Sequence, residues 1–391
     1  MSLRKVEKLL SVNNHFEAIE ECFRNALYSL GKLLGDKYKR PTNHFRLLHS
    51  NLIKYSYNTK REYEINEEIS EEISEEIGEN ISFSKEKTIK VKLCCNWTSS
   101  RDLALLWNKM SQGNFRWNRI QIVWNDEIPD HYVIINRPLI NDFPALSKSI
   151  LFQMEPNMKK QPFRWGEWSN PNNERFEKVC LHNYTHNNCE WHISKTYQQL
   201  KSENIALLKD KSLEKTLSTV LSSKYSNEGH VLRVDFIKYI EKKMTVHVFG
   251  DNKFNYMNYK GSLPYHCKDK ALLPYKYTFN VENNSIKNYF TEKIIDGILS
   301  ECLVFYSGCF NLREYLPVDS FVYLELADFE HDFKVIQNSI SNNLWEKRLP
   351  AIRKAKHIIL DKLQFFPRVE RIILELENER RKEKTGTISL N

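Results

Sequence analysis

The spacing of apolar positions changes along the chain. Phe16, Ile19, Phe23, Leu27, Leu30 and Leu33 recur at steps of three and four residues, and Gly35-Asp36 follows as a stop. That period predicts an accessory helical segment over residues 1–61. From Glu67 the chain runs Glu-Glu-Ile-Ser, Glu-Glu-Ile-Ser, Glu-Glu-Ile-Gly to Gly78. One Ile in every four residues makes a stripe too thin to bury much surface, so residues 62–85 read as an acidic low-complexity linker.

Beyond residue 85 the pattern turns to short alternating or continuous apolar runs separated by helical stretches. Ile89, Val91 and Leu93, then Ile120 to Trp124, Tyr132 to Ile135 and Ser149 to Phe152, predict strands, with a helix through Leu103, Leu105, Leu106 and Met110. The second half repeats the scheme: strands at Met244 to Phe249, Tyr277 to Val281, Leu303 to Tyr306 and Phe321 to Leu324, and a helix at Glu292 to Leu299. Strands alternating with helices imply mostly parallel sheets, whose ligands gather at the carboxyl ends of the strands. The expected fold is therefore α/β: a first domain over 86–215, a second over 216–345, and C-terminal helices and tail over 346–391 that pack on the outside.

Composition narrows the class. With 391 residues, 41% hydrophobic and 12% aromatic, the chain has enough apolar surface for two ordinary cores and an accessory segment. No apolar run approaches the roughly 20 residues that span a bilayer, and Arg4, Lys5, Glu7 and Lys8 interrupt the leading leucines, so the expectation is a soluble, cytoplasmic protein. Eight scattered cysteines fit a reducing compartment. The sequons Asn96-Trp97-Thr98 and Asn183-Tyr184-Thr185 then carry no weight, because the acceptor machinery is lumenal.

The net charge of +8 is unevenly spread: residues 1–61 hold twelve Lys/Arg against five acids, and Glu62 to Asn80 hold nine acids and no base. The remainder is basic enough to attract a phosphorylated ligand or a polyanion, and charge alone does not separate the two.

Chemistry concentrates in Val281-Glu282-Asn283-Asn284-Ser285-Ile286-Lys287-Asn288-Tyr289-Phe290-Thr291-Glu292-Lys293. A strand delivers Glu282 and Asn283 to a loop, and Thr291 can cap the helix that Glu292 and Lys293 begin. Unpaired backbone N–H groups at that helix start, with an ammonium beside them, suit a diphosphate. The string resembles the motif of glycosyltransferase family 10, the α-1,3-fucosyltransferase family: a strand ending in Phe-Glu-Asn, a five-residue loop, then Tyr-x-Thr-Glu-Lys. Val281 replaces the Phe; Glu282, Asn283, the loop length, Tyr289, Thr291, Glu292 and Lys293 agree. Leu303 to Gly308, Tyr315-Leu316-Pro317, Ser320-Phe321 and Asp328-Phe329 continue the likeness.

The resemblance implies a GT-B fold, two Rossmann-like domains facing across a cleft, and an inverting transfer of fucose from GDP-fucose to an acceptor glycan. It implies that Arg233 and Lys293 meet the donor pyrophosphate, and that Asn283, Tyr289 and Glu292 hold ribose, sugar ring or base. The family's general base is a glutamate followed by Ser-Pro at a strand end; this chain has Met154-Glu155-Pro156, which makes Glu155 the candidate without the serine. No carboxylate-rich metal motif is evident, and a GT-B enzyme of this kind uses cationic side chains at the leaving group, so no metal is expected to be strictly required.

Cys180, His182, His186, Cys189 and His192 place five soft ligands within thirteen residues, but in no recognised zinc spacing, and metal is left out of the site. Trp165, Trp168 and Trp191 are read as core before sugar-stacking groups, as are Tyr275, Tyr277 and Phe279. Two other functions stay open: a GT-B transferase with a different nucleotide sugar, and an inactive polyanion or nucleic-acid binder, against which stands the lack of any aromatic-and-basic RNA module.

Overall fold

The computed structural model describes residues 87–125, 127–155, 168, 170–188 and 190–388, with side chains as far as Lys382. The helical segment and acidic linker expected over residues 1–85 lie outside the described residues. The described elements all belong to the compact unit Glu86–Asn391.

Six strands form the first sheet: β1 (Ile89–Cys95), β2 (Arg116–Trp117), β3 (Ile120–Val123), β4 (His131–Ile135), β5 (Ser149–Phe152) and β6 (Lys178–Cys180), in spatial order β2-β3-β1-β4-β5-β6. All neighbours are parallel except β2 with β3. Helix α1 (Ser100–Trp107) starts where the Ser99 hydroxyl accepts from the Asp102 N–H at 3.1 Å, and buries Leu103, Ala104 and Trp107. Helix α2 (Tyr197–Ser202) opens on a capping box between Thr196 and Gln199.

The second sheet holds β7 (Leu217–Leu221), β8 (Val246–Gly250), β9 (Tyr277–Val281), β10 (Leu303–Ser307) and β11 (Phe321–Tyr323), all parallel, in the order β11-β10-β9-β7-β8. Strand β7 escaped sequence reading because Ser218 and Thr219 interrupt its apolar run; both are buried, and their hydroxyls donate to the Tyr277 and Phe279 carbonyls of β9 at 3.4 and 2.8 Å. The helices are α3 (Glu228–Ile240), α4 (Asp269–Leu272), α5 (Glu292–Leu299), α6 (Phe329–Ser341), α7 (Leu344–Ile358) and α8 (Phe365–Ile388). Tyr275, Tyr277 and Phe279 are core residues, as read from the sequence.

After α7, a π-helical turn over Ile359–Leu363 redirects the chain. Helix α8 then packs against the first domain: Phe366 stacks on Trp117, Glu370 accepts from the Trp117 indole N–H, and Glu377 pairs with Arg119. The tail closes the molecule across both domains. Two Rossmann-like parallel sheets joined in this way make the α/β, GT-B architecture. Among the described residues, no helix is long and apolar enough to cross a membrane.

Candidate active site

In the second sheet the chain steps from β7 outward to β8, then returns across β7 to β9 and continues to β10. The connections leaving β7 and β9 diverge, and a crevice opens at their carboxyl ends, where open α/β sheets take ligands. A cavity of about 260 Å³ lies there, lined among others by Ser222 after β7, Asn283 after β9, Arg233 of α3 and Glu292 and Lys293 of α5.

Glu282 fixes the cavity floor. Fully buried, its carboxylate accepts from the Thr291 N–H at 2.8 Å and the Thr291 hydroxyl at 2.7 Å, with Tyr306 Oη at 3.3 Å and Lys293 Nζ at 3.5 Å. Burial lifts its pKa above the ordinary value, and Lys293 opposes the shift. The residue therefore tethers the start of α5 to the end of β9. Its side chain lies where a Cβ on Gly308 would fall, 2.6 Å from Glu282 Cγ, and Gly308 has φ +148°, so glycine is required there.

Arg233 sits one turn into α3, which reaches the site because Gly229 lets the helix touch the β9 loop. A Cβ on Gly229 would stand 1.9 Å from the Glu282 carbonyl oxygen. The guanidinium donates to Ser222 Oγ at 2.9 Å and Asn283 Oδ1 at 3.3 Å, while its buried Nε has no hydrogen-bond partner. One turn earlier, His230 Nδ1 accepts from the Asn227 N–H at 3.4 Å, which leaves the proton on Nε2; that atom is buried beside Asn283 but out of hydrogen-bond geometry. Burial, with the Arg233 charge, pushes the His230 pKa down to about 4, so the ring is neutral at physiological pH. Buried donors left unsatisfied in the protein are satisfied by something else, and here both residues line a cavity.

Lys293 lies 3.3 Å from Glu292 and 3.0 Å from Thr291 Oγ1. Burial works against its charge, but Glu292 and Glu282 outweigh burial and raise its pKa. Burial likewise opposes ionisation of Glu292, yet Lys293 and Lys268 hold it well below the ordinary value. Lys268 in turn bonds Asp296 at 2.7 Å. The arrangement is a fixed alternation of charges at a helix N-terminus that lines the cavity.

Across the cleft, Glu155 follows β5. Asn136, at φ +62° after β4, accepts from the Met154 and Glu155 N–H groups at 2.9 and 3.2 Å. The Glu155 side chain touches solvent, but the surrounding protein desolvates it enough to raise its pKa, opposed by Lys293. His182 joins the two halves: its Nε2 lies 3.0 Å from the Met154 carbonyl, and the Asn288 side-chain amide donates to the His182 carbonyl at 2.6 Å. The loop bearing Glu155 is thus keyed to the loop bearing Tyr289.

Residues 211–339 match the family model of glycosyltransferase family 10 (fucosyltransferase), C-terminal. The match falls on the second domain. Similar curated proteins include the 4-galactosyl-N-acetylglucosaminide 3-alpha-L-fucosyltransferase 9 of Homo sapiens and that of Cricetulus griseus, each 28% identical over 116 residues, 29% of this chain and 30% of the relative. The chain thus spans less than a third of the length of the curated relatives it matches. Among solved structures, an alpha1,3-fucosyltransferase overlaps at a TM-score of 0.43 and 17% identity, covering 73% of this chain and 93% of that one. Its form with GDP-fucose overlaps at 0.39 and 18% identity, covering 74% and 95%.

Arg233, Asn283, Tyr289, Glu292 and Lys293 all fall inside the family 10 match, and Glu155 outside it. Four of the five line the cavity. Tyr289 is 1% exposed, with its ring edge-to-face on His182 at 5.2 Å. Burial, then Glu155 and Glu282, raise its pKa well above the ordinary value, so its hydroxyl stays protonated beside these carboxylates. His230, Lys268 and Ser222 escaped sequence reading, and His182 was read there only as one of a run of soft ligands. Lys268 is 24 residues from Glu292 and His182 is 106 from Asn288, so no local spacing reveals either pair.

The Cys/His run does not converge. Cys180 is buried in β6, His182 bridges the loops, His186 stacks on Phe290 at 3.6 Å, and Cys189 lies outside the described residues. His192 faces elsewhere, toward Glu190 and His266. Trp191 is core, Trp168 is partly buried against Phe176, and Trp165 lies outside the described residues.

Proposed function

We propose that this chain is an inverting glycosyltransferase that transfers fucose from GDP-fucose to a hydroxyl of an acceptor glycan, in the manner of an α-1,3-fucosyltransferase. The observation that carries this reading is the buried Arg233 guanidinium, whose Nε has no hydrogen-bond partner, beside His230 and beside Lys293 at the start of α5. They form a cationic, donor-rich pocket at the switch point of a family 10 domain. Arg233 and Lys293 receive the pyrophosphate; Asn283 and Glu292, at the same opening, hold the ribose or base, and the buried Tyr289 supports the loop beside them.

In the proposed step Glu155 takes the proton of the acceptor hydroxyl. The resulting oxygen forms a bond to the fucose anomeric carbon from the face opposite GDP, and the bond from that carbon to the β-phosphate oxygen breaks. The charge that leaves with GDP develops beside Arg233 and Lys293, whose positions are set before reaction, so stabilisation needs little reorganisation. These two cations supply what a metal supplies elsewhere, so no metal ion is needed at the leaving group. A raised pKa suits Glu155, since a base works best near ambient pH.

The test is transfer of labelled fucose from GDP-fucose to N-acetyllactosamine-type and other glycan acceptors, with Glu155→Gln alongside. Product from the parent and none from the variant, with GDP-fucose binding retained, supports the reading. No product from any acceptor, together with no GDP-fucose binding, overturns it.

A further inference from the structure

Glu190, His192 and His266 bring one ligand atom each within 4.8 Å of one another, at a place the proposed transfer does not use. Glu190 and His192 lie after β6, the last strand of the first sheet, and His266 lies in the loop before α4 of the second domain. We propose that these three residues form a zinc site that staples the two domains together on the flank of the donor cavity.

The donor set and its orientation carry the inference. Two imidazoles and a carboxylate suit zinc, with a water completing the tetrahedron. His192 Nε2 is shut off from solvent and stands 3.2 Å from Glu190 Oε1, yet is out of line for a hydrogen bond. A tetrahedral zinc with ligands at 2.0–2.1 Å holds neighbouring ligand atoms about 3.3 Å apart. The pair is already at that separation, and the third ligand atom, on His266, lies within 4.8 Å of both.

Outer contacts hold the first ligands in place, as working metal sites require. The Trp107 indole N–H donates to the other Glu190 oxygen at 3.0 Å, leaving Oε1 for the ion. The His192 backbone is fixed at both ends: its N–H donates to Asp296 at 2.6 Å and its carbonyl accepts from the Lys268 N–H at 2.7 Å. Lys109, the nearby cation, spends its ammonium on the Ile193 carbonyl at 2.8 Å. Cys267 lies next in sequence, but its Sγ is directed to Asp269 at 3.6 Å. The ligand set is therefore nitrogen and oxygen, without sulfur. Because Asp296 and Lys268 line the donor cavity, the ion would also set the position of that wall.

The experiment dialyses the full chain against zinc chloride and then against metal-free buffer, and measures bound metal by mass spectrometry and melting temperature with and without chelator. The expected result is one zinc per chain and a higher melting temperature with zinc, both lost in His266→Asn, which keeps a residue at ease at φ +51°. Glu190→Gln, close in shape, must also lose the ion and serves where the histidine variant fails to fold. Cobalt substitution should give weak visible bands without a strong thiolate band. No bound zinc in the parent, zinc retained by both variants, or a thiolate band would each overturn the proposal.

Discussion

The two sides of the cleft are built differently. On the second-domain side, side chains clasp the functional groups: Glu282 holds Thr291 nine residues away, Thr291 caps the helix that carries Lys293, and Arg233 is held by Ser222 and Asn283. On the first-domain side, Glu155 is positioned through its backbone, by Asn136 from a neighbouring strand, and no side chain among the described residues clasps its carboxylate in return. Under the proposed transfer, this difference matches a prearranged site for a charged nucleotide donor on one side and a base free to meet an acceptor hydroxyl on the other.

The contrast breaks most sharply at Glu155. Glu155→Gln is expected to lower kcat for transfer by about 10²–10⁴-fold with GDP-fucose affinity unchanged, as read by calorimetry and by labelled product. In the parent, the base works deprotonated, so the transfer rate must fall as pH drops through a pKa above the ordinary 4.5. That limb should vanish in the variant.

On the other side the effect falls on binding. Arg233→Ala removes charge-assisted hydrogen bonds worth about 1.5–3 kcal/mol, so affinity for GDP and GDP-fucose should drop together by roughly 10- to 150-fold. Lys293→Ala should act in the same direction. Equal weakening of GDP and GDP-fucose places the contact at the nucleotide diphosphate; weakening of GDP-fucose alone would move it to the sugar.

Gly229→Ala tests whether the prearrangement depends on backbone contact. Its Cβ would meet the Glu282 carbonyl at 1.9 Å, so α3 must shift, and overpacking of this kind destabilises by about 1–3 kcal/mol. Thermal melting should register the loss, and GDP affinity should fall with it. An unchanged melting temperature would mean that α3 does not pack against the β9 loop as described.

Asn136→Ala is the corresponding first-domain test and the mildest. It removes two neutral hydrogen bonds from the Glu155 loop, about 0.5–1.5 kcal/mol each. Transfer should slow by several-fold to tenfold while GDP-fucose affinity holds.

Legibility in the sequence divides along the same line. Val281 to Lys293 was readable because its logic is local: strand end, fixed loop, capping Thr, helix start. Strand Ser149–Phe152 was readable because Ile150, Leu151 and Phe152 form a continuous apolar run, and Tyr277–Val281 because its apolar residues alternate with Thr278 and Asn280. Strand β7 was not, since its buried Ser218 and Thr219 satisfy themselves only on β9, some 60 residues on. His230 and Lys268 gain meaning only when α3 and α4 converge on one crevice. The return of α8 to Trp117 likewise depends on contacts more than 250 residues apart. His192 looked like part of a run with His182 and His186, and the fold sends the three to different places.

Whether the crevice between β7 and β9 is a GDP-sugar site is decided by the melting temperature of the full chain with GDP, GDP-fucose, GDP-mannose, UDP-sugars and short RNA. A ligand at 100 times its Kd adds about 2.7 kcal/mol of stability. GDP and GDP-fucose should both stabilise the chain, and in Arg233→Ala the effect should shrink to about 0.3–1.4 kcal/mol. Stabilisation by UDP-sugars or RNA alone, or a GDP effect undiminished in Arg233→Ala, would refute the assignment.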